Sequence, residues 1–150
     1  MKILLAFDGS PSAHAAVDEV LRRPWPEKTH VRLVTVVERP VPFPPPSGFD
    51  VYAPLVEGIR ATLREEAYRG ILAAIDRLKT RADLETSYEL RDGSPKQALL
   101  DAISEWRPDL VVAGSHGVTG LARLFLGSVS HALVTHAPCS VEIVKTPRAA

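Results

Sequence analysis

The chain has 150 residues, of which 45% are hydrophobic and 24% are charged, as in an ordinary globular protein. Its 18 basic residues balance its 18 acidic ones, so no excess charge favours nucleic acid or an anionic membrane as a partner. We expect one domain, residues 1–150, with a core that needs no disulfide. The single cysteine, Cys139, and the early end of the first apolar run at Asp8 indicate a cytoplasmic protein without a signal peptide.

The first elements have clear local signals. Residues 3–7 are uniformly apolar, which is typical of a central parallel strand covered on both faces. Ser10 followed by Pro11 predicts a helix start, with Ser10 as the N-cap. The β-branched residues of 31–37 predict a second strand.

The middle of the chain contains a long connection and a long helix. Residues 39–54 include six prolines and are predicted to be a loop without regular structure. From Leu55 onward, apolar residues recur every three or four positions, which predicts an amphipathic helix whose apolar face is core. These residues are Ile59, Leu63, Ala67, Ile71, Ile75 and Leu78.

The last elements complete an alternation of strands and helices. Alternating polarity over residues 84–90 predicts a half-exposed edge strand, and Ser94 to Gln97 reads as a capping box that opens a helix. Residues 110–113 form a predicted fourth strand, a short helix runs from about Gly127 to Thr135, and residues 141–145 form the fifth strand. Five strands separated by helices predict an α/β fold, a mostly parallel sheet with helices on both faces.

A glycine-rich segment follows the fourth strand and has unusual spacing. Gly114, Gly117 and Gly127-Ser128 are separated by two and nine residues, which matches neither the dinucleotide fingerprint nor the lysine-containing phosphate loop. Glycines at the end of a strand let backbone N–H groups approach a phosphate, and a helix start adds a favourable dipole. A tight turn with Ser128 as a helix cap is the alternative interpretation.

The segment resembles the motif of the universal stress protein family, specifically its ATP-binding branch. The opening of this chain from Lys2 and its closing segment up to Lys145 are also similar to the first and last strands of that family. The resemblance implies a Rossmann-like, adenine nucleotide alpha hydrolase-like sheet of order 3-2-1-4-5. It implies a site for ATP, or for ADP or AMP, and a homodimer paired through residues 141–145. The nucleotide-binding residues that it implies are Ala6, Asp8, Val36, Gly114, Gly117, Gly127, Ser128 and Val129.

Asp8 follows the first strand and is the candidate ligand for Mg²⁺ or Mn²⁺, together with phosphate oxygens; a cap of the following turn is its alternative role. Near the phosphates the sequence offers only His116 and Arg123 as basic groups. Cys139 is expected to be a small buried hydrophobe. The five histidines do not suggest a zinc site, and Ser115 and His116, being adjacent, are not expected to face each other as a catalytic pair.

We therefore expect a nucleotide-responsive regulatory module with an unknown protein partner, in which ATP orders residues 39–54. The alternatives are a slow ATPase or phosphotransferase that uses Asp8 and Mg²⁺, and a dimeric scaffold that has lost its nucleotide.

Overall fold

The computed structural model describes residues 1–38, 49–117 and 126–146, except for the side chains of residues 49–53. Within these ranges strands and helices alternate along the chain. The elements are β1 (Lys2–Ala6), α1 (Pro11–Arg22), β2 (Thr29–Val37), α2 (Phe49–Leu78), β3 (Leu84–Asp92), α3 (Pro95–Trp106), β4 (Leu110–Gly114), α4 (Ser128–His136) and β5 (Ser140–Val144). None of the helices in these ranges combines the length and hydropathy of a bilayer-spanning segment.

The strands form one sheet in the order β3-β2-β1-β4-β5, and all of the neighbouring strands are parallel. The predicted α/β class and strand order are therefore confirmed. The central strand β1 is buried from Ile3 to Ala6, as its uniform apolarity indicates. β3 and β5 lie at the two edges, so the predicted edge position of residues 84–90 is also confirmed.

Each face of the sheet has its own hydrophobic core. Ile3 and Leu5 of β1 pack with α1 and α2 on one face, while Leu4 and Ala6 pack with α3 and α4 on the other. This division follows from the alternation of side chains along a strand. Cys139 is only partly buried at the rim of the second core, where burial raises the pKa of its thiol. The expectation that Cys139 is a buried residue is therefore wrong, because its burial is only intermediate.

The two predicted helix starts differ in detail. Ser10 caps α1 as predicted, because its hydroxyl accepts a hydrogen bond from Ala13 N–H at 3.2 Å. Ser94 is the N-cap of α3, but its side chain makes no capping hydrogen bond. The Gln97 amide instead donates to Asp101 at 2.7 Å, so the capping box is not formed.

Helix α2 begins earlier than predicted. Its first residue is Phe49, and Pro54 lies inside the helix, so residues 49–54 are not part of an irregular loop. Pro54 is the sixth residue of the helix, so its ring removes a hydrogen bond that an N–H at this position would donate to the carbonyl of residue 50. Residues 39–48, on which the rest of the loop prediction falls, lie outside the described residues.

The apolar face of α2 is only partly core. Ile71, Ile75 and Leu78 are buried, but Leu55, Ile59 and Leu63 are 60%, 45% and 39% exposed, contrary to prediction. A helix of 30 residues is about 45 Å long, whereas a nine-residue strand spans about 30 Å. The helix is therefore longer than the sheet it covers, and its amino-terminal half projects beyond the carboxyl ends of the strands.

A cluster of cations surrounds Trp106 near the opposite end of the sheet. The Arg32 guanidinium lies 4.4 Å and the Lys2 ammonium 5.4 Å from the centre of the indole ring. His30 packs edge-on against the same ring at 5.2 Å, and its Nε2 is 2.7 Å from Ser87 Oγ. Burial, followed by the charge of Arg32, lowers the pKa of His30; Lys2 adds to this effect and Glu85 opposes it.

The lowered pKa of His30 predicts a loss of stability in mild acid. The unfolded chain binds the proton more readily, so the free energy of unfolding should fall as the pH decreases from about 6.5 through the lowered pKa. Urea unfolding of the wild type and His30→Gln at about pH 7.5 and about pH 5.5 measures this, since glutamine does not titrate. An equal loss in both proteins would show that groups other than His30 cause the acid sensitivity.

Candidate nucleotide-binding site

Strand β1 ends before its two neighbours and leaves a notch in the carboxyl edge of the sheet. Its pairing with β2 ends at Ala6 and Val34, followed by one hydrogen bond of 2.9 Å from Phe7 N–H to Val34 O. β2 continues to Val37, and β4 continues one residue past its last partner in β1. The sheet order reverses here, and ligands of open α/β sheets bind beyond the carboxyl ends of the strands at such a point.

The backbone of Val36 faces this notch. In a strand, successive residues direct their N–H and C=O groups to alternate sides, and Val34 directs its carbonyl towards β1. Val36, two residues on, therefore directs its backbone groups to the same side, beyond the last paired residue of β1. An N–H and a C=O side by side can hydrogen-bond the edge of a planar base.

The apolar residues that were predicted for the site lie on one face of the sheet. Ala6 belongs to the core beneath α3 and α4, and Val36 and Val129 pack at the rim of that core. The structure thus brings three predicted residues from β1, β2 and α4 to the same layer.

Asp8 lies in the turn after β1 and is exposed. Its Oδ1 accepts a hydrogen bond from Ser10 N–H at 2.9 Å, across Gly9, whose φ of +77° favours glycine. A Cβ atom on Gly117 would lie 2.9 Å from Asp8 Oδ2. The carboxylate therefore supports its turn with one oxygen and faces the glycine loop with the other.

Gly117 and Gly127 come together beside the first turn of α4. Gly127 is the N-cap of α4, and its N–H donates to Ser115 O at 2.8 Å. A Cβ on Gly127 would lie 3.7 Å from Gly117 N. The first helical hydrogen bond runs from His131 N–H to Gly127 O, so the N–H groups of residues 128–130 have no helical acceptor. These amides and the helix dipole favour an anion at this position.

Gly114 has a different structural role. A Cβ at this position would lie 2.5 Å from Ser12 Oγ, 2.7 Å from the Ser12 carbonyl carbon and 2.8 Å from Ala13 N. The glycine therefore lets α1 pack closely on the end of β4. Its predicted contact with a nucleotide stays a prediction.

Ser115 and His116 do face each other, contrary to expectation. Ser115 Oγ lies 3.0 Å from His116 Nδ1, because the turn after β4 places the two side chains side by side. Ser115 is 3% exposed, so its hydroxyl is not presented to a substrate. Among the described residues, His116 Nε2 is buried without a hydrogen-bond partner. The pair has no oriented carboxylate in these contacts and does not indicate a hydrolase.

Three serines support the site and were not predicted to do so. Ser10 and Ser12 donate to the His116 carbonyl, and Ser130 donates to the Gly114 carbonyl at 2.7 Å. All three are buried. The sequence signal was available in the run Asp8-Gly-Ser-Pro-Ser12, where two serines flank a helix start. The partner of Ser10 and Ser12 is the His116 carbonyl, which is more than 100 residues away and could not be read from that run.

Metal ligands are few at the site. In the described part of the chain, no three His, Cys, Asp or Glu side chains are grouped closely enough to hold a metal ion. A cation at Asp8 would therefore need oxygens from a bound ligand. Arg123, which the sequence offered as a basic group near the phosphates, lies in residues 118–125, outside the described residues.

Comparisons with known proteins agree with this architecture. Residues 1–145 match the model of the Universal stress protein family. A putative universal stress protein of Staphylococcus haemolyticus is 32% identical over 149 residues, covering 96% of this chain and 84% of that protein. The universal stress protein UspA from Lactobacillus plantarum superposes with a TM-score of 0.81 at 23% identity, covering 96% of this chain and 97% of that one. A universal stress protein solved in complex with cAMP has a TM-score of 0.64 at 26% identity, covering 98% of each chain.

The family match over nearly the whole chain and the identity to a curated relative agree with the sheet order and the glycine spacing. The chain belongs to the universal stress protein family.

Proposed function

We propose that the notch at the end of β1 binds an adenine nucleotide, ATP in the first place and ADP or AMP as alternatives. The observation that carries this proposal is the convergence of the Val36 backbone, Asp8, Gly117 and the first turn of α4 on one gap in the sheet. The cAMP complex of the related universal stress protein supports an adenine ligand. The protein then acts as a nucleotide-responsive regulatory module with an unidentified protein partner.

The backbone can supply enough binding energy without a lysine. Hydrogen bonds to charged groups contribute about 1.5–3 kcal/mol each, and a micromolar complex needs about 8 kcal/mol. The amides of Gly117 and of the first turn of α4 provide several such donors for phosphate oxygens. The Val36 backbone then pairs with the adenine edge, a contact that does not depend on the side chain at that position.

The direct test is to denature the purified protein and identify released nucleotides by mass spectrometry, followed by calorimetric titration of the empty protein with ATP, ADP and AMP. We expect adenine nucleotide in the released fraction and saturable binding. A protein that carries no nucleotide and binds none of the three would be a scaffold instead.

Asp8 fits a role in holding Mg²⁺ or Mn²⁺ together with phosphate oxygens, because one of its carboxylate oxygens faces the glycine loop and carboxylates are preferred ligands of such ions. The cation would neutralise the charge of the phosphates next to this acidic residue. This assignment concerns Asp8 alone, since no group of three ligand side chains occurs in the described part of the chain.

Two variants of Asp8 separate its role in the turn after β1 from the role of its negative charge. Asp8→Asn keeps an oxygen for Ser10 N–H, whereas Asp8→Ala removes it. We expect calorimetry to show about tenfold weaker ATP binding by Asp8→Asn in Mg²⁺, and equal or tighter binding in EDTA, where the carboxylate repels phosphate.

The outcome in EDTA decides the role of Asp8. Equal losses by Asp8→Ala with and without Mg²⁺, together with wild-type affinity in Asp8→Asn, would reassign this residue to the turn after β1. A phosphate-release assay belongs beside the titration, because rapid release that depends on Asp8 would move the protein to the enzyme class.

We also propose a homodimer paired along β5, the edge strand next to β4. Val144 O accepts from Ser115 N–H, so Val144 faces β4 and the backbone of Val141 and Ile143 faces outward. We expect a dimer by light scattering and a monomer for Val141→Pro, because proline removes an outward N–H and leaves the Val144 bond. Val141 and Ile143 both pack against the second core, and Ile143→Lys is the poorer probe because it also places a charge there. A monomeric wild type at high concentration would contradict the pairing.

A further inference from the structure

Two buried hydroxyls converge on a single backbone carbonyl in the glycine loop. Ser10 Oγ donates to His116 O at 3.2 Å, and Ser12 Oγ donates to the same oxygen. The two hydroxyls lie 3.3 Å apart, and the serines are 3% and 4% exposed. Ser12 Oγ also accepts from His116 N–H at 3.4 Å. The loop after β1 thus holds the backbone of the loop after β4.

This contact fixes the orientation of one peptide group. The C=O of His116 and the N–H of Gly117 belong to the same peptide, and in a planar trans peptide they point in opposite directions. The carbonyl points towards the first turn of α1, where the two serines lie. The Gly117 N–H therefore points away from α1, on the side where Gly127 begins α4.

The orientation matters for an anion because the two ends of a peptide have opposite partial charges. With the carbonyl held by the serines, the loop presents an N–H donor to a phosphate. If the peptide turned over, it would present an oxygen acceptor instead, which repels phosphate. An unpaired buried carbonyl is costly, so hydroxyl donors at this position favour the first orientation.

We infer that Ser12 is a positioning residue of the nucleotide site, which directs the Gly117 N–H towards phosphate by holding the His116 carbonyl. The inference rests on the proposed function, since it assigns Ser12 a part in binding the phosphates. Ser12 does not itself contact the ligand.

Ser12 is better suited to this test than Ser10. Ser10 also caps α1, so its loss weakens the helix. Ser12 is the second residue of α1 and is not its cap, and alanine is a better helix former than serine. Alanine also fits the site, because it removes only the atom closest to Gly114.

The experiment measures the affinity of the wild type and Ser12→Ala for ATP and for adenosine, which lacks phosphates, together with the melting temperature. We expect Ser12→Ala to bind ATP about tenfold more weakly. Its adenosine affinity should stay unchanged, and its melting temperature should fall by no more than about 4 °C. Ser10→Gly, which largely preserves the helix cap, should also bind ATP more weakly while its adenosine affinity stays unchanged.

Thr29→Val is the matched control. Thr29 is a buried residue at the start of β2, at the other end of the sheet, and its hydroxyl donates to Pro26 O at 2.7 Å. This variant should leave the affinity for both ligands unchanged. Unchanged ATP affinity in Ser12→Ala, or parallel losses of affinity for ATP and adenosine, would overturn the inference. If Ser12→Ala does not fold, normal ATP binding by Ser10→Gly would overturn it as well. A wild type that binds no ATP would instead overturn the proposed function.

Discussion

Replacing Gly127 by valine should weaken ATP binding at least about a hundredfold while the protein stays folded. The φ and ψ angles of Gly127, −58° and 155°, are accessible to any residue, so backbone strain does not explain the glycine. The glycine is explained by the lack of space for a side chain. A Cβ would lie 3.3 Å from both His116 Cα and Ser115 O, and the branches of valine extend further. They would displace the loop that presents the Gly117 amide, which removes several charged hydrogen bonds at once.

Calorimetric titration with ATP measures this loss, and circular dichroism confirms the fold. Gly58→Val is the matched control, because a Cβ on Gly58 meets no atom within 4 Å. It should bind ATP as the wild type does. Unchanged ATP affinity in a folded Gly127→Val protein would place the nucleotide elsewhere and remove the central proposal.

Replacing Gly114 by alanine should lower the free energy of unfolding by roughly 1–3 kcal/mol, even without nucleotide. The added Cβ would meet backbone atoms of Ser12 and Ala13 at less than 3 Å, and neither can move without shifting α1 from β4. Gly58→Ala, on the exposed part of α2, should instead be neutral or stabilise the protein by about 0.5–1 kcal/mol.

Urea unfolding of the two alanine variants in nucleotide-free buffer gives both values. A Gly114→Ala protein as stable as the wild type would show that α1 and β4 can separate freely. In that case the glycine would be explained by the ligand alone, as the spacing of the motif first indicated.

The order of elements was predictable because its signals are local. The apolar run of β1, the Ser10-Pro11 helix start and the glycines after β4 each have a meaning within a few residues of sequence. The strand order is a different matter: periodicity does not determine it, and its prediction came from the family resemblance. The assignment of Val36 to the site also came from the family resemblance. Its role would depend on where β1 ends rather than on its own side chain.

What could not be predicted depends on contacts between distant segments. The His116 carbonyl meets Ser10 and Ser12 only because β1 and β4 are neighbours. The tight packing of Gly114 against α1 arises in the same way and gives a different reason for a glycine in a phosphate-binding pattern. The exposed apolar residues of α2 were misassigned because a periodic pattern shows which face is apolar and not how far the sheet beneath it extends.

The length of α2 has a consequence for how the protein opens. Its carboxyl-terminal half, with Ile71, Ile75 and Leu78, is held by the core and opens only when the domain unfolds. Its amino-terminal half has exposed apolar residues, and Pro54 lacks one of the N–H groups that would hold it. The hydrogen bonds of this half are protected mainly by the helix itself, so it can unravel at a fraction of the global free energy. We therefore expect one continuous helix to belong to two cooperative units, of which the weaker is next to the carboxyl edge of the sheet.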